Sequence, residues 1–260
     1  MAQNVATVDV YVALSAGSLY ASSSVVPAAM QRVAFVKYVA SEMDGPMLRC
    51  RRAQAVVFSG LKIDKLDDLE AMVNRGAIKR VFSAGSLAMA LKKAAAVLDG
   101  GDFCMGAAQD TSNAGKPFYI PPERIEQAKA MVQQGRANGI DFVLPVDLVL
   151  QDGQDSEEIG PGDQQFDVGP KTRALFADKV GEFLGGAPAE DGSRVLFHNG
   201  VFGMFEDQRF EAGTREFVAQ LKRMTDAGAE VYVGGGEGGK ALEKYGQPDW
   251  VTHCFTAGGT

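Results

Sequence analysis

The sequence predicts an α/β fold built on a mainly parallel sheet covered by helices on both faces. Three observations carry that prediction. Short runs such as Ala55-Val56-Val57-Phe58 and Val81-Phe82 are apolar without alternation, as in strands buried on both faces. Stretches with apolar residues on one 3.6-residue face separate them. Gly, Asn and Asp punctuate the joints between the two patterns.

Taken in order, Val8 to Val26 reads as an apolar strand followed by a Ser/Ala/Gly-rich stretch. Val33, Val36, Val39, Ala40 and Met43 share one face of a helix from Met30 to Met43, which Asp44-Gly45-Pro46 stops by turn chemistry. Ala55 to Phe58 is a strand, and Leu66, Leu69 and Met72 mark the next helix. Val81-Phe82 is a strand, with a helix from about Ser86 to Leu98. Asp99 to Ile120 reads as a long polar loop, and Pro121-Pro122 open a helix to Ala137, as suits proline at a helix start. Phe142 to Leu150 is strand material interrupted by Pro145, and the acidic stretch Gln151 to Gln165 reads as a mobile loop. Helices near Lys171–Phe183 and Ala212–Ala227 alternate with strands at Arg194–Phe197 and Glu230–Val233. A glycine turn, a helix to Tyr245 and a strand at Val251–Phe255 complete the series.

Composition narrows the function classes. A length of 260 residues accommodates one large α/β core, and 46% hydrophobic with 8% aromatic residues is ordinary for a globular protein. The net charge of -7, from 26 basic and 33 acidic residues, argues against a nucleic acid or anionic-membrane partner. Arg49, Arg51 and Arg52 cluster, but three charges do not make a binding stripe. Three scattered cysteines and two histidines support neither a disulfide framework nor a zinc site. No apolar run reaches the ~20 residues needed to span a bilayer. The start of the chain lacks the positive region of a secretory signal. The expectation is an intracellular protein without membrane insertion.

The chemistry-bearing residues cluster at strand ends. Gly234-Gly235-Gly236 lies between a strand and a helix, where backbone can approach a phosphate and the helix start favours an anion. A tight turn would use the same glycines. Lys62 and Lys65 follow the first core strand and could reach phosphates, although exposed lysines are commonly just solvated. Asn199, Gly200, Gly203 and Glu206 follow another strand, and Glu206 could accept hydrogen bonds from ribose hydroxyls. His198 has no evident carboxylate or nucleophile beside it and reads as structural. Ala257-Gly258-Gly259 repeats the strand-then-glycine theme and could equally be a tail.

In order, Leu144-Pro145-Val146-Asp147 and Asp167-Val168-Gly169-Pro170-Lys171-Thr172 resemble two successive signatures of the phosphoglycerate kinase family. Asn199 to Glu206 is similar to that family's Trp-Asn-Gly-Pro-x-Gly-x-Phe-Glu motif, followed by Gly213-Thr214. Gly234-Gly235-Gly236-Glu237 resembles Gly-Gly-Gly-Asp, and His253 to Gly259 resembles the closing His-x-Ser-Thr-Gly-Gly-Gly stretch. Upstream, Ser59-Gly60-Leu61-Lys62 lies where the family has Gly-Gly-x-Lys, and Phe82 to Gly85 where it has a glycine-rich adenine-pocket turn. The resemblance covers the second half of the family's usual length. It implies a Rossmann-like three-layer sandwich over residues 46–260, preceded by an interdomain-type helix (30–45) and an apolar arm (1–29). It also implies a nucleotide site at Lys62, Lys65, Gly85, Asn199, Glu206, Gly234, Gly235 and Gly236, with Glu237 at the metal, for ATP or ADP with Mg²⁺.

Members of that family move a phosphoryl group between 1,3-bisphosphoglycerate and ADP across two domains, and here the phosphoglycerate domain is expected to be missing. Lys65 comes one residue early for the family's second phosphate lysine. Val201 stands for a proline, Glu237 for an aspartate and Gly238 for a hydroxyl residue, while Ser59, Ser83 and Ala84 replace glycines. Positioning is most of what phosphoryl transfer requires, so the expectation is a protein inactive alone. It would serve as a structural or accessory subunit, with other chains covering residues 8–26 and the face of the missing domain. The alternative is an ATP- or ADP-binding phosphotransferase component completed by a partner chain.

Overall fold

The computed structural model describes residues 37–255. The predicted strand within Val8–Val26, the start of the Met30 helix and the terminal Ala257-Gly258-Gly259 lie outside them. The described chain opens with helices α1 (Lys37–Asp44) and α2 (Pro46–Cys50). The Asp44-Gly45-Pro46 turn ends one helix and immediately starts another, with proline where its missing N–H costs nothing.

Strands β1 (Ala55–Phe58), β2 (Arg80–Ser83) and β3 (Asp141–Val143) alternate with helices α3 (Lys65–Asn74), α4 (Gly85–Leu98) and α5 (Pro122–Ala137). A small group follows: β4 (Leu148–Leu150), β5 (Asp155–Ser156) and β6 (Gln165–Val168). Then come α6 (Pro170–Gly185), β7 (Val195–Asn199), α7 (Ala212–Asp226), β8 (Glu230–Gly234), α8 (Gly236–Tyr245) and β9 (His253–Cys254).

The main sheet has the order β3-β2-β1-β7-β8-β9, with every pairing parallel. Each half winds outward from the β1/β7 seam, so connections leave that seam in opposite directions. In open α/β sheets such a reversal leaves a crevice at the carboxyl ends of the two central strands. Side chains alternate between faces along β1. Val56 and Phe58 pack with Leu66, Leu69, Leu87, Leu91 and Met131 of α3–α5. Ala55 and Val57 pack with Phe176, Val180, Phe217, Leu221 and Leu242 of α6–α8. This is the predicted three-layer α/β sandwich, and each fully buried Leu or Phe contributes ~2 kcal/mol by leaving water. Phe82, Phe176, Phe202 and Phe217 meet edge-on or tilted in the second layer, with centroids 4.7–6.1 Å apart.

Four expectations need correction. The run Phe142–Leu150 is two strands in different sheets, because Pro145 has no N–H to give a ladder. Residues beyond it form the second sheet, order β5-β4-β6, all antiparallel. The acidic stretch Gln151–Gln165 is an ordered hairpin rather than a mobile loop. Leu150 N donates to Gln154 O at 2.9 Å, Gln151 N to Gln164 O at 3.0 Å, and Ile159 is buried beneath it. The loop Asp99–Ile120 carries two 3₁₀ turns, Gly106–Gln109 and Thr111–Asn113. The last strand is only two residues long, and the 2.8 Å contact of His253 Nε2 with buried Glu42 Oε1 fastens α1 beside it.

Candidate functional site

The motifs at the start of α6 hold the scaffold together. Asp147 is buried, and its carboxylate accepts from Lys171 N (2.9 Å), Thr172 N (2.7 Å) and Thr172 Oγ1 (2.6 Å). It therefore satisfies donors at the amino end of α6 and ties the second sheet to that helix. Asp167 is buried as well, but its environment is thinner. Oδ2 accepts from Gly213 N at 2.8 Å, while Oδ1 has no hydrogen-bond partner. Burial lifts its carboxyl to about 7, against the opposing pull of that backbone donor and of Arg173.

The seam between β1 and β7 is where backbones come closest. Ser59 N donates to Asn199 O at 3.1 Å, carrying the two strands into adjacent turns. Gly200 has φ +110°, and a Cβ there would overlap the Ser59 carbonyl oxygen. Gly85 has φ +65°, and a Cβ would lie 2.6 Å from Gly60 O. Only glycine fits either turn. Helices α4 and α8 both start at this edge without a side-chain cap, through Ala84 and Gly235 respectively, and Ser86 N in the first turn of α4 donates to Gly60 O at 3.1 Å.

Against the seam lies a cavity of about 370 Å³. Gly60, Leu61, Gly85, Ser86 and Glu237 line one part of it. Val201 to Glu206 form a wall, and Met89, Met105, Ala108, Phe118, Gln164, Gln165 and Phe166 complete it. None of these residues is basic. Size and mixed lining suit a nucleotide-sized ligand, with an apolar region for a base and glycine turns for phosphates.

The predicted residues separate into three groups. Gly85, Glu206 and Glu237 line the cavity. Lys65, Asn199 and Gly235 sit beneath its floor. Lys65 Nζ donates to Ser59 O at 2.8 Å and lies 3.9 Å from Glu237 Oε2, with its side chain only 19% exposed. Burial lowers its pKa, partly offset by Glu237. A Cβ on Gly235 would lie 3.0 Å from Asn199 Oδ1, so that amide faces the glycine turn. Lys62 is exposed just before α3, close enough for its charge to act on Lys65, while Gly234 ends β8 and Gly236 starts α8. His198 is buried and stacked on Phe217 with centroids 5.7 Å apart. Burial pushes it down to about 3, with Lys65 adding to the effect, so it is neutral.

Sequence reasoning missed the Gln164–Phe166 wall and the Met89, Met105 and Phe118 contribution. Phe166 immediately precedes a recognised motif, which was the available signal. Met105 and Phe118 come from a loop that no periodicity could position.

Magnesium commonly keeps several waters and takes only one or two carboxylates besides phosphate oxygens. Glu237, 55% exposed at the cavity edge, fits that role only alongside a bound phosphate. Among the described residues no group of three or more His, Cys, Asp or Glu could hold a metal by itself.

A doubly wound parallel sheet with a ligand-sized crevice at its reversal point defines an open α/β protein of the kind that holds ligands at the carboxyl ends of its strands. The phosphoglycerate kinase family model matches residues 2–260, and the chain belongs to that family. It is 28% identical over 235 residues to phosphoglycerate kinase of Saccharomyces cerevisiae, covering 86% of this chain and 49% of that protein. The Clostridium beijerinckii enzyme is 34% identical over 148 residues, 54% of this chain and 34% of the relative. Phosphoglycerate kinase of Coxiella burnetii superimposes with a TM-score of 0.69 at 22% identity, covering 95% of this chain and 59% of that one. The chain thus spans about half the length of the curated relatives it matches. No helix among the described residues is long and apolar enough to cross a membrane.

Proposed function

We propose that this chain binds an adenine nucleotide in the crevice at the β1/β7 seam and does not transfer a phosphoryl group by itself. The observation that carries the proposal is the 370 Å³ cavity with glycine turns and uncapped helix starts at one side and apolar walls at the other. Glu206, which lines the cavity, would take ribose hydroxyls, and Lys62, exposed before α3, would swing toward phosphates.

Three features support inactivity in isolation. Lys65 is engaged by the Ser59 carbonyl and Glu237, so it is not poised over a transferring group. Glu237 carries one methylene more than the family's aspartate, displacing the carboxylate by ~1.5 Å, which matters for the octahedral demands of Mg²⁺. No basic side chain lines the cavity to hold an acidic second substrate. Such a site would have to lie outside this cavity.

Calorimetric titration with ADP and ATP, with and without Mg²⁺, tests binding. Micromolar affinity that falls on Glu206→Ala is expected, and no heat at millimolar nucleotide overturns the proposal. A coupled assay with 1,3-bisphosphoglycerate and ADP should show no turnover above background, and turnover there would overturn the second clause. The competing reading is a purely structural subunit of a larger assembly. The Lys65–Ser59 tie favours it, and absence of nucleotide binding would make it the better account.

A further inference from the structure

Glu206 ends the Val201–Glu206 wall, and its exposed carboxylate makes no hydrogen bond or ion pair among the described residues. Its own side chain therefore has nothing to aim it. The peptide before it does. Phe205 O accepts from Lys244 Nζ at 2.6 Å, and Tyr245 Oη lies 3.0 Å from the same oxygen. Glu211 Oε2 is the second acceptor of this pair, 2.8 Å from Tyr245 Oη and 3.4 Å from Lys244 Nζ, and Arg215 donates to Glu211 Oε1 at 2.8 Å. The tyrosine has one proton to share between the two acceptors, whereas the ammonium has three and can serve both. Lys244 is thus the principal donor, and its bond to the carbonyl is short and charge-assisted.

A lysine in the last turn of a helix commonly bonds that helix's own final carbonyls. Lys244 reaches across to the wall instead. The rest of the wall is held elsewhere: Phe202 N donates to Thr214 Oγ1 of α7 at 3.0 Å, and Met204 N to Phe166 O of β6 at 2.9 Å. The tie from α8 is the one adjoining Glu206. The same helix carries Glu237 in its first turn, so its two ends hold the two acidic residues that line the cavity. Neither Lys244 nor Tyr245 lines the cavity itself.

We infer that Lys244 is a positioning residue of the crevice: its ammonium, steadied by Tyr245 and Glu211, fixes the Phe205–Glu206 peptide so that the Glu206 carboxylate is presented to ribose hydroxyls. The inference rests on the nucleotide-binding reading above and adds to it the element that aims the ribose-binding group.

Calorimetry with ADP and with 2′,3′-dideoxyadenosine 5′-diphosphate, which lacks both ribose hydroxyls, tests it. The parent protein should bind ADP about tenfold more tightly, the lower end of what a hydrogen bond to a charged group is worth. Lys244→Met keeps the apolar stem and removes the ammonium. It should weaken ADP binding several-fold and leave the dideoxy analogue unchanged, and adding Tyr245→Phe should bring the two affinities together. In a Glu206→Ala background Lys244→Met should change neither affinity. A tie that merely supports the fold would weaken both ligands alike, so a Lys244→Met protein that keeps the parent's ratio overturns the assignment. So does an effect on ADP that persists without Glu206. If Lys244→Met does not fold, Tyr245→Phe alone decides, and an unchanged ratio there overturns it. Equal binding of the two ligands by the parent removes this inference alone, while binding of neither removes the nucleotide reading with it.

Discussion

Two regions of this molecule carry family motifs, and they treat polar atoms in opposite ways. At the start of α6, Asp147 and Thr172 are buried in a closed set of hydrogen bonds. At and around the crevice, Ser59 Oγ, His198 Nδ1 and Gln165 Oε1 are buried without partners. Both regions look equally functional in sequence. The difference separates motif residues that hold the scaffold from those whose surroundings are incomplete without something else, and hydrogen-bond completeness is the measurable criterion.

The largest effect should come from the closed region. Asp147→Ala leaves the Lys171 and Thr172 N–H groups and the Thr172 hydroxyl without their carboxylate, so unfolding in urea should show a loss on the order of 4 kcal/mol. A loss under 1 kcal/mol would break the distinction at its firmer end.

Asp167 gives the next effect and a sign that can be worked out. In an unfolded chain an aspartate titrates near ~4, while burial lifts Asp167 to about 7 in the fold. Between those values the folded protein holds a proton that the unfolded chain has released. The contribution therefore favours folding at low pH and is lost as pH rises toward about 7. Arg173 and Glu216 face the same carboxylate and act in opposite directions on it. Asp167→Asn should flatten that slope and gain on the order of 2 kcal/mol above neutrality, read from thermal midpoints at pH 5 and pH 8. A variant that is less stable than the parent at pH 8 would show that the ionised carboxylate is well accommodated.

These two aspartates also mark how far the sequence could be read. Non-alternating apolar strands and 3.6-residue helix faces are local patterns, so the α/β order was legible for every strand of the main sheet. The second sheet was not. It depends on Pro145 ending one ladder and on a hairpin whose acidic surface hides a single buried Ile159. In the site, glycines requiring positive φ announce themselves, because no other residue fits. The inward turn of Lys65 does not, since nothing in Lys62-Ile63-Asp64-Lys65 says which lysine meets the Ser59 carbonyl. Gln165 was invisible for a similar reason: being unpaired is a property of the surroundings.

A smaller effect would sharpen the account of the seam. A Cβ on Gly238 would lie 3.7 Å from the unpartnered His198 Nδ1 and 3.1 Å from Val233 Cγ1. Gly238→Ser brings a hydroxyl within reach of that nitrogen and removes a helix glycine, for an expected gain of about 1 kcal/mol if Val233 yields slightly. Unfolding in urea checks it. A net loss would mean that the close contact outweighs the new hydrogen bond.

The smallest effect on stability tests the two lysines against each other. Lys62 is exposed, so Lys62→Ala should change unfolding free energy by under about 0.5 kcal/mol. Lys65 is held by a carbonyl in the floor of the site, so Lys65→Met should cost about 1 kcal/mol. Nucleotide affinity should order them the other way, with ADP binding weakened several-fold by Lys62→Ala and little changed by Lys65→Met. If Lys65→Met instead abolishes binding while leaving stability intact, the tie to Ser59 is a resting position from which the side chain is recruited by phosphate. The seam would then be incomplete in its charges as well as in its hydrogen bonds, and the proposal that the chain is inactive alone would lose one of its supports.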